Sequence, residues 1–239
     1  IYGKGLGSLK AKKNTELNFG NSGTLARLLI GILSTTPDIE IKVKGDHSLN
    51  KRSMKKLIDI VSGFGASFLP KNKFNFPLKL ISSEMPIAID YKAGVSAQLK
   101  SAAIFAGLNS YGNTKIIENE KSRDHTENLL LKNKTAIKIK SGKTKKIKIC
   151  GKKILGPINI NVAGDPSAAA FFTALTLLNK NSYLKIKNIG LNPTRTGFYQ
   201  ILKKQGAKIK FTDLKKENNE IRGNIIVNFC KMKPIKTSK

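Results

Sequence analysis

Apolar and polar positions along this chain follow two helical rhythms and one strand rhythm. Residues 25–33, 97–108 and 168–178 are apolar or small with no polar stripe, and each run is headed by a serine, Ser22, Ser96 or Ser167. That pattern predicts three helices buried nearly all round. Residues 54–63, 125–132 and 198–205 instead set apolar positions at helical spacing against a lysine-rich side, which predicts helices on the outside. Period-two runs such as Ile137-Lys138-Ile139-Lys140 and Lys145-Lys146-Ile147-Lys148-Ile149 predict strands with lysine on the solvent face.

The elements recur in one order. A strand at 39–43, 114–118 or 182–187 separates the two helices of each copy, and a turn marked by Ala66, Ala136 or Ala207 follows the second helix. Further strands are expected at 78–81, 147–150 and 224–229. The whole set repeats three times at a spacing of about 70 residues, too long for a solenoid repeat and suited to a supersecondary module of βαβαββ order. The fold class is therefore α/β, built of repeated βαβαββ units.

The strongest chemical signal precedes the first buried helix, at Gly20-Asn21-Ser22-Gly23-Thr24 with Arg27 one turn further in. Glycines let the main chain approach a ligand, and the free N–H groups and positive dipole end of a helix favour an anion. The same residues also make an ordinary N-cap. Gly164-Asp165-Pro166 reads as a second turn, with Asp165 able to cap the helix after it.

Composition narrows the classes. With 40% hydrophobic residues in 239, the chain can bury a core. No apolar run reaches the roughly 18 residues of a membrane span, and no signal-peptide pattern opens the sequence, so a cytoplasmic protein is expected. Cys150 and Cys230 are isolated and His47 and His125 are the only histidines, so neither disulfides nor a metal site is expected. The formal charge of +29, from 44 Lys+Arg against 15 Asp+Glu, would suit nucleic acid. Its lysines are spread through Lys-Ile and Lys-Asn pairs over the whole chain, which favours a compositional bias over a nucleic-acid surface. Residues 1–7 read like the middle of a strand and turn, and the chain stops soon after a strand at 225–229, so an internal piece of a longer protein is expected.

Six motifs in order carry a resemblance: Gly20 to Thr24 with Arg27; Gly45-Asp46-His47-Ser48-Leu49 with Lys51-Arg52-Ser53-Met54; Val95-Ser96-Ala97-Gln98-Leu99-Lys100; Ser122-Arg123-Asp124-His125-Thr126-Glu127; Gly164 to Phe171; and Asn192-Pro193-Thr194-Arg195-Thr196-Gly197. In these the chain resembles the 5-enolpyruvylshikimate-3-phosphate synthases, 3-phosphoshikimate 1-carboxyvinyltransferases of the class II kind. The resemblance implies an enolpyruvyl transferase fold of two domains with an interdomain active-site cleft, here most of one domain over 1–162 and the first part of the returning domain over 163–239.

It also implies the reaction: the enolpyruvyl group of phosphoenolpyruvate passes to the 5-hydroxyl of shikimate 3-phosphate, and phosphate leaves, with no metal or organic cofactor. By the resemblance, Asn21, Gly23, Thr24, Arg52 and Gln98 would serve phosphoenolpyruvate. Ser96, Ala97, Gln98 and Arg123 would hold shikimate 3-phosphate. The family's Lys-Ser-x-x-x-Arg segment would lie before Ile1 and its proton-handling residues beyond Lys239, so no catalytic residue is assigned and the piece alone is expected to be inactive. The partners expected are these two anions, with no membrane, no nucleic acid, and a monomer at full length. The rivals are UDP-N-acetylglucosamine enolpyruvyl transferase, which uses a loop cysteine, and a non-catalytic basic module or remnant binding nucleic acid.

Overall fold

The structure, a computed structural model, describes residues 2–231 and divides them into two compact units. Unit 1 comprises 2–122 and 130–157, and unit 2 comprises 123–129 and 158–231.

Unit 1 contains two modules of the same topology. The first runs β1 (Glu16–Asn18), α1 (Gly23–Leu33), β2 (Glu40–Lys44), a single-turn α2 (His47–Asn50), α3 (Lys55–Gly63), β3 (Ser67–Leu69) and β4 (Leu78–Ile81). The second runs β5 (Asp90–Ala93), α4 (Ala97–Leu108), β6 (Asn113–Glu118), α5 (His125–Leu130), β7 (Ile137–Lys140) and β8 (Lys145–Cys150). Five of the six residues of α5 cluster with unit 2. Sheet orders are β1-β2-β4-β3 and β5-β6-β8-β7, in each of which the first pair is parallel and the other pairs are antiparallel. The expected βαβαββ order is thus present twice. Strand β1 occupies residues where the sequence pattern marked no strand, and residues 2–7 form a turn at Leu6-Gly7 with no strand.

Helices α1 and α4 are buried together. A Cβ on Gly31 would stand 2.7 Å from the Ala102 carbonyl oxygen and 2.8 Å from its Cα, so the two backbones meet with no side chain between them. Around this contact Ala26, Ile30, Leu57, Val61, Ala103, Ile104, Ile116 and Ile147 form one apolar core shared by both modules. The mixed hydrophobicity of α4 follows from burial on every side, including Lys100 and Ser101.

The outer face of the second sheet is lysine-rich. Ile137 pairs with Ile149 and Ile139 with Ile147, and these isoleucines turn toward the core. Lys138 therefore stands opposite Lys148, and Lys140 opposite Lys146, all four exposed; Lys115 faces Lys148 from the other side. Asp90 answers Lys115 at 3.7 Å.

Unit 2 runs α6 (Pro166–Leu178), β9 (Tyr183–Gly190), α7 (Gly197–Lys204), β10 (Lys208–Glu217) and β11 (Glu220–Asn228), with sheet order β10-β11-β9. Gly164 bridges Ile189 in parallel, where the other modules have a first strand. The core holds Ala169, Leu177, Ile189, Tyr199, Ile209, Ile225 and Val227, and the Tyr199 hydroxyl donates to the Pro166 carbonyl at 2.6 Å.

Here one expectation fails. Helix α6 is not buried all round: Phe171 is 80% exposed, Leu178 74%, and Phe172 and Leu175 are also exposed. The sheet covers Ala169, Thr173, Thr176 and Leu177 on one side, and among the described residues no helix packs on the other side as α4 packs on α1. Among the described residues no helix is long and apolar enough to cross a membrane.

Candidate anion-binding site

The turn before α1 is set by backbone contacts. Gly20 has φ +55°, its N–H takes the Asn18 side chain at 2.9 Å, and its carbonyl accepts from the Asp46 N–H at 2.8 Å. Ser22 is the N-cap of α1, its hydroxyl accepting from the Leu25 N–H at 3.1 Å. Ser96 caps α4 in the same way, accepting from Leu99 at 3.4 Å. The capping interpretation of both serines therefore holds, and it fixes the helix ends that flank the site.

Across those ends runs a chain of side-chain bonds. Arg27 donates from one nitrogen to the Gly23 carbonyl at 3.1 Å and to Gln98 Oε1 at 2.8 Å. Gln98 Nε2 donates to Thr24 Oγ1 at 2.7 Å, so both ends of its amide are fixed and α1 is tied to α4. Arg52 Nη2 donates to Asn21 Oδ1 at 3.3 Å and to Ser48 Oγ at 3.4 Å. Asn21 Nδ2 in turn donates to Asp46 Oδ2 at 2.7 Å, and Asp46 Oδ1 caps α2 by accepting from the Leu49 N–H at 2.7 Å.

The two guanidinium groups converge on Gly23. A Cβ there would lie 2.9 Å from Arg27 Nη1 and 3.4 Å from Arg52 Nη1. Burial, and after it the charge of Arg52, lowers the Arg27 pKa. Among the described residues neither arginine forms an ion pair with a carboxylate. Two like charges at a helix N-terminus, beside a glycine that leaves room, make a site that gains from a carboxylate or phosphate.

Asp46 braces the site. Its carboxyl is held below the usual range first by the Leu49 N–H, with further lowering from Asn21, Ser48 and Arg52, while desolvation works in the opposite direction. A depressed folded-state pKa gives stability that is present above the ordinary Asp value of about 4 and lost as pH falls through the folded value. Asp46→Asn cannot ionise, so its melting temperature should fall less steeply than the wild type below about pH 4. Parallel acid limbs in a thermal-melt series would remove Asp46 from this role.

Unit 1 brings Asn21, Gly23, Thr24, Arg52 and Gln98 together. Ser96 and Ala97 lie at the same end of α4, half-buried. Arg123 belongs to unit 2, where it is exposed and, among the described residues, without an ion pair. Arg27 was read as one turn inside the helix but not as a site residue; the signal for it was its spacing of four from Gly23, which puts it over the helix start. A cleft of about 650 Å3 in unit 1 runs from Lys56 and Asp59 to Val95 and Ser96 and includes neither arginine.

Unit 2 has a cavity of about 400 Å3 lined by His125, Asp165, Arg195, Glu217, Glu220 and Arg222 among others. Its polar side chains find partners within it: Arg195 donates to Asp165 Oδ1 and Ser167 Oγ, both at 2.7 Å, Arg222 pairs with Glu217, and His125 Nδ1 lies 2.9 Å from Glu220 Oε1. Asp165 caps α6 as expected, accepting from Ser167 at 3.0 Å. That carboxylate sits where an anion would otherwise bind the helix start. Among the described residues no group of His, Cys, Asp or Glu could hold a metal ion.

Parallel-paired βαβαββ modules with an arginine-flanked helix start define an enolpyruvyl-transferase-like α/β protein. The enolpyruvyl transferase NikO of Streptomyces tendae shares the fold, with a TM-score of 0.58 at 13% identity over 86% of this chain and 46% of that one. The family model for EPSP synthase (3-phosphoshikimate 1-carboxyvinyltransferase) matches residues 1–236, and the chain belongs to that family. A solved EPSP synthase from Acinetobacter baumannii is 33% identical with a TM-score of 0.77, covering 92% of this chain and 48% of that one. Among curated relatives, the 3-phosphoshikimate 1-carboxyvinyltransferase of Caldicellulosiruptor bescii is 41% identical over all of this chain and 55% of its own length. That of Bacillus subtilis is 38% identical over 98% of this chain and 54% of its own length. The chain spans about half the length of the curated relatives it matches.

Proposed function

We propose that this chain supplies the anion-binding part of a 3-phosphoshikimate 1-carboxyvinyltransferase, which moves the enolpyruvyl group of phosphoenolpyruvate to the 5-hydroxyl of shikimate 3-phosphate and releases phosphate. The observation that carries this reading is the convergence of Arg27 and Arg52 on Gly23, with Gln98 tied between Arg27 and Thr24. Phosphoenolpyruvate has a phosphate and a carboxylate, and two planar guanidinium forks match those groups. Gln98 is the second residue of α4, beside Ser96 and Ala97, which would meet shikimate 3-phosphate; Arg123 is proposed as a partner of its phosphate. The reaction itself belongs to a protein of the relatives' full length.

Cysteine geometry favours the shikimate acceptor over UDP-N-acetylglucosamine. Cys150 closes strand β8, and Cys230 follows β11 with its sulfur accepting from the Lys208 N–H at 3.2 Å. Cys150 is thus a strand residue, and Cys230 is engaged by a backbone N–H, unlike a free cysteine in a mobile loop.

Arg52→Ala should weaken phosphoenolpyruvate binding about ten- to hundredfold, the scale of one or two charge-assisted hydrogen bonds, with little change in melting temperature. Titration calorimetry of wild-type and variant chains measures this. Equal affinity in the two would refute the site. The isolated 239 residues should show no turnover of shikimate 3-phosphate, and a phosphate-release assay checks that.

A further inference from the structure

Lys100 and Glu118 take no part in the anion site, yet both are charged and both side chains are at most 1% exposed. Lys100 Nζ lies 2.8 Å from Glu118 Oε1. The same oxygen accepts from the Ser122 N–H at 2.9 Å and from the Ser122 hydroxyl at 2.5 Å, while Lys145 stands 3.8 Å from Oε2. Burial, the largest single influence on Glu118, would raise its pKa, but the bonds from Lys100 and Ser122 outweigh it and hold the carboxyl below its usual range. The group is ionised where no solvent reaches it.

A buried ion pair is poor at stabilising a fold, since well-packed apolar residues of similar volume often do as well or better. Its position suggests another use. Lys100 is one turn into α4, four residues after Ser96, and its N–H donates to the Ser96 carbonyl. Glu118 ends β6, and Ser122 closes the turn that follows, immediately before Arg123. One carboxylate oxygen therefore joins the helix bearing Ser96, Ala97 and Gln98 to the backbone that leads into Arg123.

We infer that Glu118, held ionised by Lys100, is a positioning residue whose acceptor oxygen fixes the 119–122 turn beside the start of α4, where Ser96, Ala97 and Gln98 would hold ligand. Only the identity of the ligand rests on the function proposed above. The work is assigned to the acceptor oxygen, and Lys100 keeps the carboxylate ionised.

Two double variants of the full chain that remove the Lys100–Glu118 pair separate positioning from simple packing. Lys100→Met with Glu118→Gln retains a carbonyl acceptor for Ser122, whereas Lys100→Met with Glu118→Leu has none. Amide hydrogen exchange read by NMR at Ser122 and its neighbours should speed at least tenfold in the leucine variant and return to within about threefold of wild type in the glutamine variant, with the β6 core amides protected in both. Shikimate 3-phosphate affinity, read by calorimetry, should follow the same split. Equal exchange at Ser122 in both variants and wild type overturns the inference, as does equal loss of protection in both. If exchange splits while the wild type binds no shikimate 3-phosphate, the positioning stands and the assigned ligand fails.

Discussion

Gly31→Val is expected to destabilise unit 1 by about 3 kcal/mol, the upper part of the range for overpacking a close-packed core. The cause is local. The first added carbon would meet the carbonyl oxygen and Cα of Ala102, and backbone atoms in the middle of two paired helices have no rotamer in which to retreat. The branch of valine then has to separate α1 from α4, which opens the core around Ala26, Ile30, Ala103 and Ile104. Urea unfolding followed by circular dichroism reads this as a lower midpoint with an unchanged slope. Gly94→Ala is the control, because a Cβ there meets nothing within 4 Å. If the two variants unfold at the same midpoint, the helices do not touch at Gly31.

Glu118→Leu alone should cost about 3–5 kcal/mol, as expected when one member of a buried pair is removed. It removes one acceptor of the fully buried Lys100 ammonium, and it strips the acceptor from both donors of Ser122. Adding Lys100→Met should recover part of the loss, because the ion pair is then removed as a whole. Chemical denaturation of the single and double variants measures the difference. A single variant as stable as wild type would show that Lys100 is satisfied without Glu118.

Much of the module was legible in the sequence because its helices and strands have strong, distinct periodicities. Residues 97–108 and 78–81 have the boundaries expected, and Ile137 to Lys140 alternate core and solvent as their pattern required. Short elements were less visible. Strand β1 is three residues long and β5 has the sequence Asp90-Tyr91-Lys92-Ala93, so neither has the apolar alternation that marks a strand; each is held by pairing with a parallel neighbour. The exposed side of α6 could not be read either, because composition records what a helix is able to bury and not whether a neighbour covers it.

The site was legible as motifs and not as bonds. Gly23 and Thr24 stood out through their setting and Arg52 and Gln98 only through the family resemblance, but the joining of Arg27 to Gln98 crosses 71 residues of sequence and depends on how α1 meets α4. Lys100 was hidden for the opposite reason: in a chain with 44 basic residues, one more lysine in a helix reads as solvated. Only its burial against Glu118 sets it apart.

The lysine pairs of the second sheet bear on how the protein responds to its medium. Like charges directly opposite on neighbouring strands repel, and here Lys138, Lys140, Lys146 and Lys148 do so from the exposed face of one sheet, close enough for the repulsion to be felt within a Debye length of about 8–10 Å at ordinary ionic strength. Counterions that gather over that face relieve it. Sodium chloride added between 50 and 500 mM, on the order of the range where screening sets in, therefore firms this sheet, whereas a protein held by surface ion pairs would loosen, and dilute buffer is the harsher solvent for this chain.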